Sequence, residues 1–236
     1  MDKNRARIAK IVSSAPKITT MKMAYDTVSE SLQNEYEHMY DYVRYREIEL
    51  LKETIISGNV EGSIAEAGVD YGDTSRILNL LFPDRKLFLY DTFNGFESGD
   101  AEFESQNYDV LTGFFEKWNN NRPKDDELIS IVKEQLCYPE KAFIRKGFFP
   151  DTAIENDSDE KFALAVVDMD LYKPCYSAIM FFYPRLSDGG YIMLHDYNTP
   201  YFHGIHNALI NAEKKLGKLA YIPLPDQGGS VVIVKK

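Results

Sequence analysis

The stretch Ile64-Ala-Glu-Ala-Gly-Val-Asp-Tyr-Gly-Asp-Thr-Ser75 decides the fold. A short apolar run ends in an acid, Glu66. Gly68 and Gly72 follow, and a helical pattern opens over Thr74–Leu81. That is a strand, a tight glycine turn and a helix start. Glycines let a backbone approach a ligand closely, and the helix N-terminus adds free N–H donors beside it. Nineteen residues after Gly72 a second apolar run, Leu87-Phe-Leu-Tyr90, ends in Asp91. An acid at the tip of the second strand of such a unit is placed to accept hydrogen bonds from a ribose. The two segments describe a nucleoside-binding half-fold.

The loop chemistry narrows the nucleoside. A dinucleotide fingerprint needs Gly-x-Gly-x-x-Gly, so that a pyrophosphate can sit on the helix N-terminus. Here the pattern is Glu-x-Gly-x-x-x-Gly. A phosphate would lie near Glu66, Asp70 and Asp73, and no Lys or Arg precedes Arg76 in the loop to offset them. No Gly-Lys-Ser/Thr follows, which excludes a nucleotide-triphosphate loop. The same acids suit a ligand with an ammonium group and a second positive centre, as in S-adenosylmethionine. The candidate cofactor contacts are Glu66, Gly68, Tyr71, Gly72, Thr74, Ser75, Asp91, Thr92 and Phe93. The rival readings are an NAD-dependent oxidoreductase and an ordinary strand–turn–helix with solvated acids.

Composition sets the outer bounds. The 236 residues suffice for one large α/β domain with an appendage. A formal charge of −10 argues against nucleic acid and against an anionic membrane surface. No apolar run approaches the ~18–20 residues that span a bilayer. The start, Met-Asp-Lys-Asn-Arg-Ala-Arg, is charged with no apolar core behind it, so no secretory signal is expected. Cys137 and Cys175 form neither a disulfide framework nor a metal spacing. They read as free thiols of a cytoplasmic protein.

Residues 1–57 carry no strand signal and are expected to form helices that precede the main domain, packing on it or covering its pocket as a lid. In this segment Tyr36, Tyr40, Tyr42 and Tyr45 interleave with charges, and Arg44, Arg46, Glu47 and Glu49 keep one face wet. Strands then fall near 63–67, 86–90, 142–145, 162–168 and 190–195, alternating with helical stretches. Such alternation implies a parallel sheet with covered faces. Leu186-Ser-Asp-Gly-Gly190 reads as a turn into the last of these. Leu219–Pro223 and Ser230–Lys235 are joined by a linker too short for a crossover helix, so they must pair antiparallel. The expected fold is therefore α/β and Rossmann-like: a mostly parallel seven-stranded sheet ending in an antiparallel hairpin, over 58–236. An insertion at about 94–141 lies at the ligand end of the sheet. In it Asn94–Asp100 reads as loop, and Tyr108–Trp118 and Glu127–Leu136 as helices.

A second constellation follows. Phe162-Ala-Leu-Ala-Val-Val-Asp-Met-Asp-Leu-Tyr-Lys-Pro174 is a buried strand ending in Asp168 and Asp170, and Tyr191-Ile-Met-Leu-His-Asp-Tyr197 ends in His195 and Asp196. In a parallel sheet both tips share the edge where ligands bind. Crowded carboxylates need a compensating cation. A hard divalent metal, Mg²⁺ in particular, would supply it and would lower the pKa of a bound hydroxyl. The plain alternative has Asp168 capping backbone N–H groups and His195 paired with an acid. Phe143-Ile-Arg-Lys-Gly147 should pass beside the adenine, with Gly147 allowing close approach. His203 and His206 read as surface or helix-start histidines, or else as a base or substrate contact.

The strings AEAGVDYGDTSRIL, LFLYDTFNGFE, KGFFPDT, VVDMDLYKP, YPRLSDGGYIMLHDYN and GIHNAL resemble the macrocin O-methyltransferase family, over about Met39 to Asn207. The resemblance implies a class I methyltransferase fold and S-adenosylmethionine-dependent methylation of a hydroxyl on a sugar or glycosylated small molecule. It also implies a homo-oligomer and a divalent metal. By that likeness Glu66, Gly68 and Gly72 surround the methionine part of the cofactor and Asp91 holds the ribose. Asp168 lies at both cofactor and metal, with His195 and Asp196 completing the metal set; Asp168, His195 and Asp170 are the catalytic candidates. One departure stands out: the family's metal-dependent members tend to carry two acids where this chain has His195-Asp196. Imidazole is a poorer Mg²⁺ ligand than carboxylate. This leaves three options: fewer carboxylates on the metal, a softer ion such as Mn²⁺, or a metal-free site with His195 as general base. A catechol-like or phenolic acceptor would need the same metal chemistry, and a non-catalytic scaffold on this fold would bind cofactor without turnover.

Overall fold

The computed structural model describes residues 41–108, 110, 113–199 and 201–236. The helices expected before residue 41, with Tyr36 and Tyr40, and the family-like residues Met39 and Tyr40, lie outside the described residues. The order of elements is α1 (Tyr42–Ser57), β1 (Ser63–Ala67), α2 (Asp73–Leu81), β2 (Leu87–Asp91), α3 (Ser98–Asn107), α4 (Phe114–Asn120), α5 (Asp125–Gln135), β3 (Ala142–Lys146), α6 (Asp151–Asp157), β4 (Phe162–Val167), α7 (Tyr172–Arg185), β5 (Leu186–Leu194), α8 (Gly204–Leu216), β6 (Ala220–Pro223) and β7 (Val231–Val234).

The strands form one sheet in the order β3-β2-β1-β4-β5-β7-β6. β1 pairs in parallel with β2 and β4, β2 with β3, and β4 with β5. β7 runs antiparallel to both β5 and β6, which is the expected terminal hairpin. The burial of each strand follows its place. Central β1 and β4 are buried at every residue, whereas edge strands β3 and β6 are partly exposed. Helices cover both faces of a parallel sheet, so its inner strands read as unbroken apolar runs.

Much of the aromatic content fills the core. Phe162 packs edge-on against Phe182 (ring centroids 5.1 Å apart) and Tyr90 against Phe149 (5.4 Å), the geometry that aromatic quadrupoles favour. The Tyr90 hydroxyl donates to Asp157 Oδ2 at 3.0 Å, and Arg145 pairs with the same carboxylate at 2.7 Å. One polar group at the sheet edge is thus fully partnered.

Two expectations are corrected. Leu186–Gly190 is not a turn ahead of β5 but its first part: Phe162 faces Leu186, yet Leu164 faces Tyr191, so the extra residues bulge out of the ladder. Gly189 and Gly190 pair instead with Lys235 at 2.9 Å on the neighbouring β7 side. The insertion is also more helical at its start. Ser98–Asn107 forms α3, where a loop was read up to Asp100, and the next helix begins only at Phe114. The signal was weak because Glu97 caps α3 with its own side chain on Gly99 N, a residue type that sequence rules rarely read as a cap.

Candidate active site

The C-terminal tips of β1, β2, β4 and β5 lie along one edge of the sheet, since these strands are parallel neighbours. Glu66 at the end of β1 feels the charges of both Asp91 and Asp168. The two acid-bearing segments therefore meet on one rim.

Asp91 organises the loop around itself. Its Oδ2 accepts the backbone N–H groups of Val69 (2.7 Å) and Asp70 (3.1 Å), and its Oδ1 accepts that of Phe93 (2.7 Å). The carboxylate so locks the glycine turn to the tip of β2. Gly147 lies beside it, donating its N–H to the Asp91 carbonyl at 2.9 Å. Thr92 Oγ1 donates to the Gly95 carbonyl at 2.8 Å, while the Phe93 ring is fully buried.

Gly68 has φ +90°, and a Cβ there would come within 1.8 Å of the Asp168 carbonyl oxygen. The turn must pass so close to the tip of β4 that no side chain fits. Its glycine is explained by this crossing inside the chain. Gly72 precedes α2 as its N-cap and faces Val132 of α5. Thr74 and Ser75 are buried in the first turn of α2, and Ser75 Oγ donates to Glu66 Oε2. Burial pushes the Glu66 carboxyl well above the usual range. The Ser75 bond and the Arg44 charge pull it down, while Asp168 and Asp91 push it further up.

Cations reach these acids from distant segments. Arg44 of α1 donates from Nη1 to Asp168 Oδ2 at 2.7 Å, with only 11% of its side chain exposed. Arg122, between α4 and α5, pairs with Asp70 and lies over the rings of Tyr71 (5.4 Å) and Trp118 (5.6 Å). The expectation that nothing offsets the loop acids holds only along the sequence. In space, Arg122 and Arg44 offset Asp70 and Asp168. Arg44, expected on a wet face, is turned into the rim.

Asp168, His195 and Asp196 converge: one ligand atom from each lies within 4.8 Å of the others. His195 Nδ1 is 2.8 Å from Asp168 Oδ1 and 3.2 Å from Asp196 Oδ2. Burial alone would depress His195, but the two carboxylates outweigh it and raise its pKa to about 10. Burial opposes the charge of Asp168 too, yet His195 and Arg44 hold its carboxyl below the usual range. Asp170 behaves in the opposite way. Burial and the neighbouring charges of Asp168 and Asp196 push it well up, and it hydrogen-bonds Asp196. Asp170 and Asp196 both have a left-handed backbone, φ +60° and +55°, as expected where short polar side chains end strands at a site.

A further part of the rim was missed. The β6–β7 linker folds over the tip of β5, and a Cβ on Gly228 would come within 2.5 Å of His195 Nε2. Asn198 N donates to the Gly229 carbonyl at 3.1 Å and pins the linker there. Its Gly-Gly pair reads as a turn in the sequence, and only the strand order brings it to His195. His203 stands at the start of α8 and His206 lies against Tyr197 at 4.7 Å.

The donor set of Asp168, His195 and Asp196 offers a divalent cation two carboxylates and, once the imidazole is neutral, one ring nitrogen. In the absence of a cation the His195 proton and the Arg44 guanidinium compensate the carboxylates. The rim as a whole, with acids at four strand tips, also fits a cationic nucleoside.

A sequence profile described as Macrocin-O-methyltransferase (TylF) matches residues 36–214. No curated protein sequence matches the chain. Among solved structures, the O-methyltransferase NovP is similar at 22% identity, covering 83% of this chain and 80% of its own, with a TM-score of 0.67. CalS11, described as a TDP-rhamnose 3'-O-methyltransferase of calicheamicin biosynthesis, is similar at 17% identity, covering 97% and 92%, with a TM-score of 0.55. A protein described as a putative caffeoyl-CoA O-methyltransferase from Staphylococcus aureus is similar at 14% identity, covering 93% and 99%, with a TM-score of 0.59. These likenesses establish the shared fold.

Proposed function

The chain belongs to the macrocin O-methyltransferase family and is an S-adenosylmethionine-dependent O-methyltransferase, and from that premise we propose that it methylates a hydroxyl of a sugar or glycosylated small molecule with the help of a divalent cation. The observation that carries the proposal is the convergence of Asp168, His195 and Asp196 on the rim that also bears Glu66 and Asp91.

The bound cofactor supplies an electrophilic methyl group on a sulfonium; the protein's part is position and proton handling. Asp91 holds the glycine turn in shape through the N–H groups of Val69 and Asp70, which sets the floor against which the nucleoside lies. Asp91 gives that floor negative potential, and Glu66, raised well above the usual range by burial, would add to it where a cationic ligand draws off its proton. Asp168 and Asp196 would hold the cation, joined by His195 once the imidazole gives up its proton to it, and the cation would lower the pKa of a hydroxyl bound beside it. Without the cation His195, raised to about 10, carries a proton at neutral pH, and with it the ring nitrogen would be a ligand, so in neither state does His195 serve as base. Burial and the charges of Asp168 and Asp196 raise Asp170 well above the usual carboxylate range, so it would take the proton of the acceptor hydroxyl only from its ionised form.

The test is methyl transfer from labelled S-adenosylmethionine to panels of nucleotide sugars, glycosides and catechols, with Mg²⁺, with Mn²⁺ and with chelator. Transfer to a sugar hydroxyl that chelation abolishes is the expected result. Transfer to catechols alone would replace the sugar reading, and undiminished transfer in chelator would remove the cation from it.

A further inference from the structure

We propose that Glu104 is a positioning residue: a buried strut, sent in from the insertion, that fixes the starts of α7 and α8 and so sets the spacing of the two segments carrying Asp168–Asp170 and His195–Asp196. The inference rests on the enzymatic reading above and adds to it a role for the insertion.

Asp100, Phe103 and Glu104 lie three and four apart on α3 and share one face. That face docks on the start of α7. Lys173 Nζ donates to the Gly99 carbonyl at 2.9 Å and stands 3.5 Å from Asp100, and Phe103 stacks on Tyr172 with centroids 5.5 Å apart. Glu104 is completely buried at the centre of this contact. Its Oε2 accepts the Tyr172 N–H at 2.9 Å. Its Oε1 lies against the first residue of α8, so close that a Cβ on Gly204 would come within 2.2 Å. One carboxyl thus faces the free N–H ends of two helices, where an acid is favoured.

Both helices lead back to the rim over short paths. Tyr172 follows Asp170 by two residues, and between them Leu171 N donates to the Met169 carbonyl at 2.6 Å in a tight turn. A shift of Tyr172 N therefore moves Asp170 directly. Gly204 follows Asp196 through a single loop. Asn211 Nδ2 donates to the Tyr172 hydroxyl at 3.0 Å and ties the two helices together further along. A carboxyl of purely structural worth would lower stability and leave turnover per folded molecule unchanged. A strut changes turnover without touching the cofactor floor.

The test uses the full chain with Glu104→Ala, Glu104→Gln and Gly204→Ala. Glu104→Ala should lower kcat by about tenfold or more and change the Kd for S-adenosylhomocysteine by less than about twofold. Glu104→Gln keeps an oxygen for Tyr172 N and should recover most of the lost kcat. Gly204→Ala pushes Oε1 from the other side and should also lower kcat. In the Glu104→Ala background part of that second loss should vanish, because Oε1 is gone while the 2.9 Å approach to Tyr172 Cβ remains. Wild-type kcat in Glu104→Ala, equal losses in Ala and Gln, or fully additive losses with Gly204→Ala each overturn the proposal. If Glu104→Ala does not fold, the Gln and Gly204→Ala variants decide by the same readings. If the wild-type chain shows no turnover with any acceptor, the enzymatic reading has failed by itself. Amide hydrogen exchange then reads the strut: unchanged protection at Tyr172 and Gly204 in Glu104→Gln and Gly204→Ala overturns it, and faster exchange in Gly204→Ala upholds it.

Discussion

Arg44 and Asp168 are 124 positions apart, yet Arg44 Nη1 donates to Asp168 Oδ2 at 2.7 Å. The first described helix is thereby fastened to the tip of β4 by an ion pair, and the rim receives a cation that no neighbouring residue provides. Asp168 is left with one oxygen on Arg44 and the other on His195. The Arg44 charge is needed there, because Asp170 and Asp196 crowd the same edge as Asp168.

Arg44→Met tests this pairing. It leaves a partly buried carboxylate with His195 as its remaining cationic partner. The expected loss is about 2 kcal/mol, below the ~3–5 kcal/mol of a fully buried pair because the site keeps some exposure. For a chain of this size that is a fall of roughly 4–8 °C in Tm. Titration of Mn²⁺ should show tighter binding in the variant, since a competing cation has been removed. An unchanged Tm and an unchanged Mn²⁺ affinity would remove Arg44 from the account of the rim.

Gly68→Ala tests the crossing of the glycine turn over β4. The new Cβ would meet the Asp168 carbonyl oxygen at 1.8 Å, and φ is +90°. Steric overlap and backbone strain together should cost about 3 kcal/mol or more. Thermal denaturation should show a Tm lower by roughly 10 °C or fail to find a folded state. A variant as stable as the parent would mean that the turn has room to move away from β4.

Glu66→Gln separates binding from folding. The buried carboxyl is raised well above its usual pKa, so a neutral amide in its place should not destabilise the fold. If Glu66 provides negative potential for the cofactor, calorimetry should show about tenfold weaker binding of S-adenosylhomocysteine at pH 8, with Tm unchanged or higher. Equal affinity in the two proteins would leave Glu66 as a structural partner of Ser75 and nothing more.

Glu104 makes stability depend on pH in a defined direction. Burial raises its pKa to about 7 against the Tyr172 N–H bond and the nearby Gly204 N–H, which lower it. Between pH 4.5 and about 7 the folded chain keeps a proton that the unfolded chain releases. The stabilisation is complete below that window and is lost as pH rises through it. Across the shift the loss is on the order of 3 kcal/mol. Glu104→Gln, which cannot ionise, should be more stable than the wild type at pH 8 and about equal to it at pH 5. Parallel Tm curves from pH 5 to 8 would show that Glu104 does not titrate there.

Much of the fold was legible because periodicity and turn residues are local. Val166 and its neighbours form an unbroken apolar run, and such a run between helical stretches must be an inner strand. The short linker before Ser230 must reverse the chain. The tips at Glu66, Asp91, Asp168 and His195 could be placed on one edge from the parallel order alone. Alternation failed at Ser187–Gly190, because a bulge pairs its extra residues with β7 and leaves no mark in the pattern of β5 itself. It failed again at α3, whose polar sequence gives little helical periodicity and whose buried residues, Asp100 and Glu104, are acids.

The sequence by itself determined the strand order's chemistry: which tips carry acids, where glycines permit close crossings, and which family the motifs belong to. Only the tertiary structure decided what those acids touch. Arg44 on Asp168, Arg122 on Asp70, Gly228 on His195 and Glu104 between two helices all join residues from distant parts of the chain. Local spacing governs elements because the helix hydrogen bond and the two-residue alternation of a strand are set by near neighbours along the chain. Charge compensation is settled by proximity in space, and a side chain's distance along the sequence has no bearing on it.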